Sequence, residues 1–336
     1  MRFQGIVGHQ RLLGLLARAI ARDTLPPSLL FAGPAGIGKK QAALAVAAAL
    51  NCLNPRPTPP FETDACGECA SCRRIGRGVH PDVILIEPGD SGSTKIEPVR
   101  DVIDRANYRP FEGRCRVVII DEADTLVPPA QNAMLKTLEE PPSASRFILV
   151  SSLPDALLAT VRSRCRPLRF RELTAGEVAT VLIRKHEYAE TDARAAAADA
   201  GGSVGRALAS ASVDRTDARA TAQRLLQHIA RLPDPVRRLE AARPLTGKAT
   251  GAAERDQLAV CLRVLSSLLR DLGVLATDSD SSLLANPDLE SDLERLTSTF
   301  DGERSQRAFT AVDQALMALD RNVNPKVVAD WLVLQL

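Results

Sequence analysis

Aromatic side chains are scarce in this chain: Phe, Tyr and Trp together make up 3% of 336 residues. Its cores must therefore be built from Leu, Val, Ile and Ala. Neither sign of charge is in surplus. Lys and Arg number 43 against 41 Asp and Glu, a net charge of +2, which excludes a strong general attraction to nucleic acid or to a membrane surface. Contact with DNA must be local, or supplied by partners. Long hydrophobic runs are missing as well. The longest, Ala42–Leu50, is about half of the ~20 residues that span a bilayer. The apolar stretch Leu12–Ile20 is interrupted by Arg18 and followed by no small-residue cleavage site, so it does not read as a secretory signal. A cytoplasmic protein with no membrane contact is the expectation. No internal repeat is visible.

What is present fits a globular protein of two or three domains, with 45% hydrophobic and 25% charged residues. Leu12, Leu13, Leu15, Leu16 and Ile20 recur at helical spacing, ended by Pro26-Pro27. Ser28–Phe31, Asp82–Glu87, Arg116–Ile120 and Phe147–Ser151 are short apolar runs that predict buried parallel strands. Between them, Ala42–Leu50 and Gln131–Glu139 predict helices, and the four prolines of 54–60 predict a surface connection. Strands alternating with helices imply a layered α/β sheet. Strand signals stop at Glu172. Residues 177–200 then predict two helices before a break at Gly201-Gly202, and the remainder from about 210 is helical in pattern.

Gly33-Pro34-Ala35-Gly36-Ile37-Gly38-Lys39 lies between a predicted strand and a predicted helix. In that setting Gly33, Gly36 and Gly38 let the backbone N–H groups approach phosphate oxygens, and Lys39 reaches the β- and γ-phosphates. The loop is a candidate ATP or ADP cradle. Its next position, however, is Lys40, where such loops carry the Ser or Thr hydroxyl that ligates Mg²⁺. An ammonium group cannot ligate a cation and repels it, so metal-assisted hydrolysis by this chain is expected to be weak or absent. The blander alternative is that Lys40 points to solvent and water fills the vacancy.

The apolar run 117–120 ends in Asp121-Glu122-Ala123-Asp124. The C-terminal edge of a parallel sheet is where ligands sit; there Asp121 would hold a metal and Glu122 would polarise an attacking water. Seven cysteines are present. Cys66, Cys69 and Cys72 have metal-site spacing, and Cys52, at the end of the preceding helix, completes a closed four-thiolate set suited to structural Zn²⁺. Cys115, Cys165 and Cys261 are isolated and read as buried small residues. His80 is either a further ligand or, more simply, a turn residue.

This combination resembles the bacterial clamp-loader branch of the AAA+ ATPases. The resemblance rests on the phosphate loop, the cysteine insertion, Gly78-Val79-His80-Pro81-Asp82, the run from Asn132 to Pro142 (NAMLKTLEEPP) and Ser163-Arg164-Cys165, and it covers about residues 5–210. It implies an α/β P-loop AAA+ domain over 1–172 with a zinc module at 52–72, a small helical lid over 173–209, and an all-helical collar for oligomerisation over 210–336. It also implies that Arg164 is an arginine finger acting in trans on a neighbour's nucleotide, that Ser152 is a polar sensor, and that Arg206 lies near the second sensor. A solvated helix-start arginine is an almost equal reading of Arg206. The implied partners are the gamma/tau and delta subunits of a DNA polymerase III clamp loader, a hetero-pentamer that places the sliding clamp on primed DNA in chromosomal replication. Lys40, the segment Glu87–Ser93 and the single-collar length favour a non-motor subunit over an ATP-hydrolysing gamma/tau-type motor.

Overall fold

The computed structural model describes residues 1–89, 92–212, 215–231, 234–246, 252–277, 284, 286–321 and 323–336. It divides into two compact units, Met1–Leu208 and Ala209–Leu336.

The first unit is built on seven strands: β1 Ser28–Ala32, β2 Arg56–Thr58, β3 Phe61–Asp64, β4 Val83–Ile86, β5 Arg116–Ile120, β6 Ser145–Ser151 and β7 Arg166–Arg169. Five of them form one sheet in the order β4-β5-β6-β1-β7, every neighbouring pair parallel. Each of the two strands β1 and β5 is buried along its whole length. Alternate side chains serve opposite cores. Leu29, Phe31, Val117 and Ile119 enter one cluster, while Leu30, Ala32, Val118 and Ile120 enter the other, as the two-residue strand period requires.

Helices α1 (Gln10–Ala21) and α2 (Lys39–Asn51) supply side chains to the first core, and α4 (Ile96–Ala106) and α5 (Pro128–Glu139) to the second. In α2, Ala42, Ala43, Ala45, Ala47 and Ala49 are buried; their small side chains let the helix lie close to the sheet. Two strand features escaped the sequence patterns. The prolines of 54–60 sit in an antiparallel hairpin, β2–β3, rather than in a plain connection. Strand β7 is a charged, Pro167-containing edge strand, the one sheet position where proline and arginine are tolerated and apolar periodicity is not required.

Between the hairpin and β4 lies the short helix α3 (Ala70–Gly76), and α6 (Ala159–Arg162) precedes β7. Beyond the sheet, α7 (Ala175–His186), α8 (Glu190–Asp199) and the start of α9 (Val204–Ser212) enclose their own cluster, including Leu173, Val178, Leu182, Ala193 and Ala207. Thr174 and Glu177 cap α7 reciprocally, a strong helix-start signal.

The second unit is helical: α10 (Arg215–Arg231), α11 (Pro235–Thr246), α12 (Ala252–Ala276), α13 (Glu290–Glu294), α14 (Gly302–Asp320) and α15 (Pro325–Gln335). Leu226, Leu262, Leu265, Leu268, Phe300, Val312 and Leu332 lie in its core. A parallel sheet with a P-loop behind β1 and a helical C-terminal region is the architecture the resemblance implied. Among the described residues, no helix is long and apolar enough to cross a membrane.

A buried ion pair fixes the edge of the sheet opposite the P-loop. Asp82, fully buried, accepts N–H bonds from Phe111, Glu112 and Gly113 at 2.7–2.8 Å and pairs with Arg116 at 3.1 Å. Arg116 in turn donates to the carbonyls of Arg105, Tyr108 and Arg109. The loop so held presents Tyr108 and Phe111 at 73% and 83% exposure. Asp82→Ala strands the Arg116 cation and three N–H groups. A loss of about 3–5 kcal/mol in unfolding free energy, measured by urea titration, is expected.

Candidate nucleotide site and metal centre

The charged groups Lys39, Lys40, Glu87, Asp121, Glu122 and Asp124 all lie just beyond the C-terminal ends of β1, β4 and β5, in the turns there or in the first turn of α2. The phosphate loop leaves β1, with Gly33 N–H donating to Ser151 O of β6 at 3.2 Å. Gly38 caps α2 at φ 96°, a left-handed conformation that favours glycine. Gly36 is needed for a different reason. A Cβ there would lie 2.3 Å from Ser203 Oγ and 2.9 Å from Gly205 N. The segment after α8 is hydrogen-bonded to the loop: Ser203 Oγ donates to Ala35 O at 2.9 Å and Gly205 N to Gly36 O at 3.1 Å. Ser203 and Gly205 are therefore the residues that touch the cradle from this side. The Arg206 guanidinium lies instead by Gly201, 3.3 Å from where a Cβ there would stand.

Lys39 is buried at 6% exposure. Its Nζ donates to Gly33 O and Pro34 O at 2.6 and 2.5 Å. Burial lowers its pKa to about 8, against the pull of Asp124, Asp121 and Glu122. Lys40 does not point to open solvent. Its Nζ bonds Glu87 Oε1 and lies 3.2 Å from Asp121 Oδ2. Burial alone would lower the Lys40 pKa, but the two carboxylates outweigh it and hold it above the ordinary value. Asp121 and Glu87 come from the ends of adjacent strands, tied by Asp121 N–H to Ile86 O at 2.9 Å. Of the segment that follows Glu87, residues 90 and 91 lie outside the described residues.

Glu122 adopts a left-handed backbone, φ 45° and ψ 49°, uncommon for a residue with a side chain. Its carbonyl is held by the Thr125 N–H and hydroxyl, both at 2.8 Å. Ser152, the candidate sensor, bonds Asp124 through N–H at 3.0 Å and Oγ at 3.4 Å, and Ser151 Oγ reaches the same carboxylate at 2.7 Å. Asp124 thus joins the end of β6 to the acidic turn after β5. Neither Glu87 nor Asp124 has a distinguishing sequence signal beyond its place at a strand end.

Arg164 stands just beyond α6. It donates to Thr160 O and to Glu139 Oε2, each at 3.0 Å. Both members of the pair are accessible, at 31% and 62% side-chain exposure, so it contributes only about 0.2–1 kcal/mol. The guanidinium is free to exchange partners at little cost.

The four cysteines converge. The Sγ atoms of Cys52, Cys66, Cys69 and Cys72 all lie within 4.8 Å of one another, with Cys52–Cys69 and Cys66–Cys72 at 4.0 Å. Tetrahedral zinc with Zn–S of about 2.3 Å requires sulfurs about 3.8 Å apart, so the donor set fits. Backbone N–H groups of Cys66, Cys69 and Cys72 donate to the sulfurs of Cys52, Cys66 and Cys69 at 3.2–3.4 Å. Burial pushes thiols up, yet such donors outweigh it at Cys66, which is held below the ordinary value, and at Cys69, brought down to about 6. Cys115, Cys165 and Cys261 are driven the other way by burial, to about 11, 12 and 12. His80 is a buried turn residue outside the four-sulfur cluster. Its Nδ1 accepts from Asp82 N–H at 3.1 Å, and its Nε2 meets Ser71 Oγ at 3.1 Å.

Residues 8–174 match the family model described as DNA polymerase III, delta subunit. The chain is 35% identical over 176 residues to DNA polymerase III subunit tau/gamma of Haemophilus influenzae, covering 52% of this chain and 25% of that protein. It is 36% identical over 174 residues to subunit tau of Bacillus subtilis, covering 52% and 30%. The match thus spans less than a third of these relatives' own length. Among solved structures, a gamma-subunit-related protein of Thermotoga maritima aligns over 96% of this chain and 97% of its own at 16% identity, with a TM-score of 0.43.

Two measurements follow. Purified chain should carry a single zinc equivalent by elemental analysis, lost in Cys69→Ser together with a fall in melting temperature; zinc-free wild type of unchanged stability would refute the site. ADP affinity should be flat up to about pH 8 and then fall about tenfold per pH unit as Lys39 loses its proton. Fluorescent-nucleotide titration from about pH 7 to about pH 10 reads this, and constant affinity throughout would contradict it.

Proposed function

We propose that this chain is a subunit of a DNA polymerase III clamp loader, of the non-motor, delta-prime type. In this role it assembles with gamma/tau and delta subunits into the pentamer that opens the sliding clamp and sets it on primed DNA. Its AAA+-like domain keeps a nucleotide cradle but hydrolyses little ATP, and it lends Arg164 to the nucleotide site of a neighbour.

The observation that carries the non-motor reading is the Lys40–Asp121 ion pair at 3.2 Å. The carboxylate positioned to hold a catalytic metal is already engaged by an ammonium group. Asp121 and Glu122 are thereby left without the metal through which they would act on water. Arg164, partly exposed and weakly paired to Glu139, suits donation to a phosphate on another chain, where such arginines stabilise phosphoryl-transfer transition states. Tyr108 and Phe111, exposed on a rigidly held loop, suit contact with a protein partner. The four-cysteine module, if loaded with zinc, serves as a closed structural staple between α2 and α3.

A second reading is favoured by the relatives, which are named tau or gamma: an ATP-hydrolysing motor subunit. ATP turnover by the purified chain separates the two. Background turnover supports the non-motor reading; Mg²⁺-dependent turnover lost in Lys39→Ala supports the motor. In a reconstituted loader, Arg164→Ala should lower clamp- and DNA-stimulated ATPase by about a thousandfold at the dependent site. Unchanged stimulation and clamp loading would refute the finger.

A further inference from the structure

A P-loop of this type implies a bound Mg²⁺, but the residues at that position do not fit one. The metal's hydroxyl ligand is replaced by Lys40, and the carboxylate that would face the metal is taken. Lys40 Nζ bridges Asp121 Oδ2, at 3.2 Å, and Glu87 Oε1. These carboxylates stand at the ends of neighbouring strands, held in register by the β4–β5 ladder. Asp121 is only 16% exposed and Lys40 30%, so water screens the pair less than it would at the surface. A divalent ion approaching Asp121 meets a positive charge already seated 3.2 Å from that carboxylate, and like charges so close repel.

The rest of the loop keeps the features of an anion cradle. Its glycines keep their left-handed conformations, Lys39 sits inside the loop, and Ser203 and Gly205 brace it from the segment after α8. Anion-binding elements are retained while the metal position is filled by the protein.

We infer that Lys40 is the resident cation of this site, so that the cradle takes a nucleoside di- or triphosphate as its metal-free anion and Mg²⁺ does not strengthen the binding. This rests on the cradle being a nucleotide site and is independent of the arginine-finger assignment. Lys40 follows Lys39 directly at the start of α2, yet the two ammonium groups part: Lys39 Nζ is held on the loop carbonyls of Gly33 and Pro34, and Lys40 Nζ on Glu87 and Asp121. Mg²⁺ then competes with Lys40 for Asp121, and complexation of the nucleotide by Mg²⁺ in solution removes ligand from the pool the site prefers.

Titrating the full-length chain with N-methylanthraniloyl-ADP, in excess EDTA and in excess MgCl₂, tests this directly. Wild type should bind equally well in the two buffers to within about twofold, or more tightly in EDTA. Lys40→Thr should restore metal dependence, binding about tenfold or more tightly with Mg²⁺ than with EDTA. The wild-type arm alone decides if the variant folds poorly: a gain of more than about twofold on adding Mg²⁺ overturns the inference while leaving the cradle intact. Absence of binding by wild type in both buffers overturns the cradle and this inference together, and leaves the Arg164 assignment to its own assay. Lys39→Ala, expected to lose binding in both buffers, confirms that the signal comes from the loop.

Discussion

Parallel strands cannot be joined by tight turns, and this constraint orders the five-stranded sheet of the first unit. Each strand must be followed by a crossover, and each crossover begins at the same edge of the sheet. Burying β1 and β5 on both faces fixes their register against β6 and so fixes where Gly33, Asp121 and Ser151 emerge. Residues far apart in sequence become neighbours because their strands end together. The ion triad of Lys40, Glu87 and Asp121 draws on three separate crossovers.

The two edges of this sheet use charge in opposite ways. At the far edge, Asp82 and Arg116 are sealed from water and saturated with backbone partners. Removing either would leave a buried charge uncompensated, so the pair holds a loop in one conformation. At the edge carrying the phosphate-type loop, the charges differ in cover: Lys39 is buried, while Lys40 and Asp121 are partly open to water at 30% and 16% exposure. Lys39 is desolvated enough for its pKa to fall to about 8, while Lys40 is held charged by its two carboxylates. A cation kept ionised by its neighbours is a stable substitute for a metal; a desolvated one is suited to receive an anion.

The cysteine module shows how a small insertion is fixed without much hydrophobic area. Its core is formed by Ala48, Cys52, Ala65, Cys66, Cys72 and Ile75, so the candidate ligands are themselves part of the packing. The module is also tied to its surroundings by polar contacts. Asp64 accepts from the N–H groups of Phe3, Gln4 and Ala65, and His80 links Ser71 on α3 to the turn before β4. Burial keeps His80 below its ordinary pKa, consistent with a neutral ring acting as a hydrogen-bonded joint.

By itself the sequence determined the classes of structure and the chemistry of single positions. Apolar runs of four or five residues between helical periods dictated a parallel sheet, the glycine spacing dictated a tight loop between β1 and α2, and the cysteine spacing pointed to a cluster of sulfurs. These are local properties, written in consecutive or nearly consecutive residues. Edge strand β7 and the β2–β3 hairpin were illegible for the same reason: Arg166–Arg169 and Arg56–Thr58 carry charge and proline in place of an apolar period. Only the tertiary structure decided what Lys40 does. A lysine after a P-loop lysine can face solvent or turn inward, and the difference lies in Glu87 and Asp121, 47 and 81 residues further along the chain. Sheet register brings those carboxylates within reach of one ammonium group, and a long-range electrostatic contact of that kind leaves no periodic trace in the sequence.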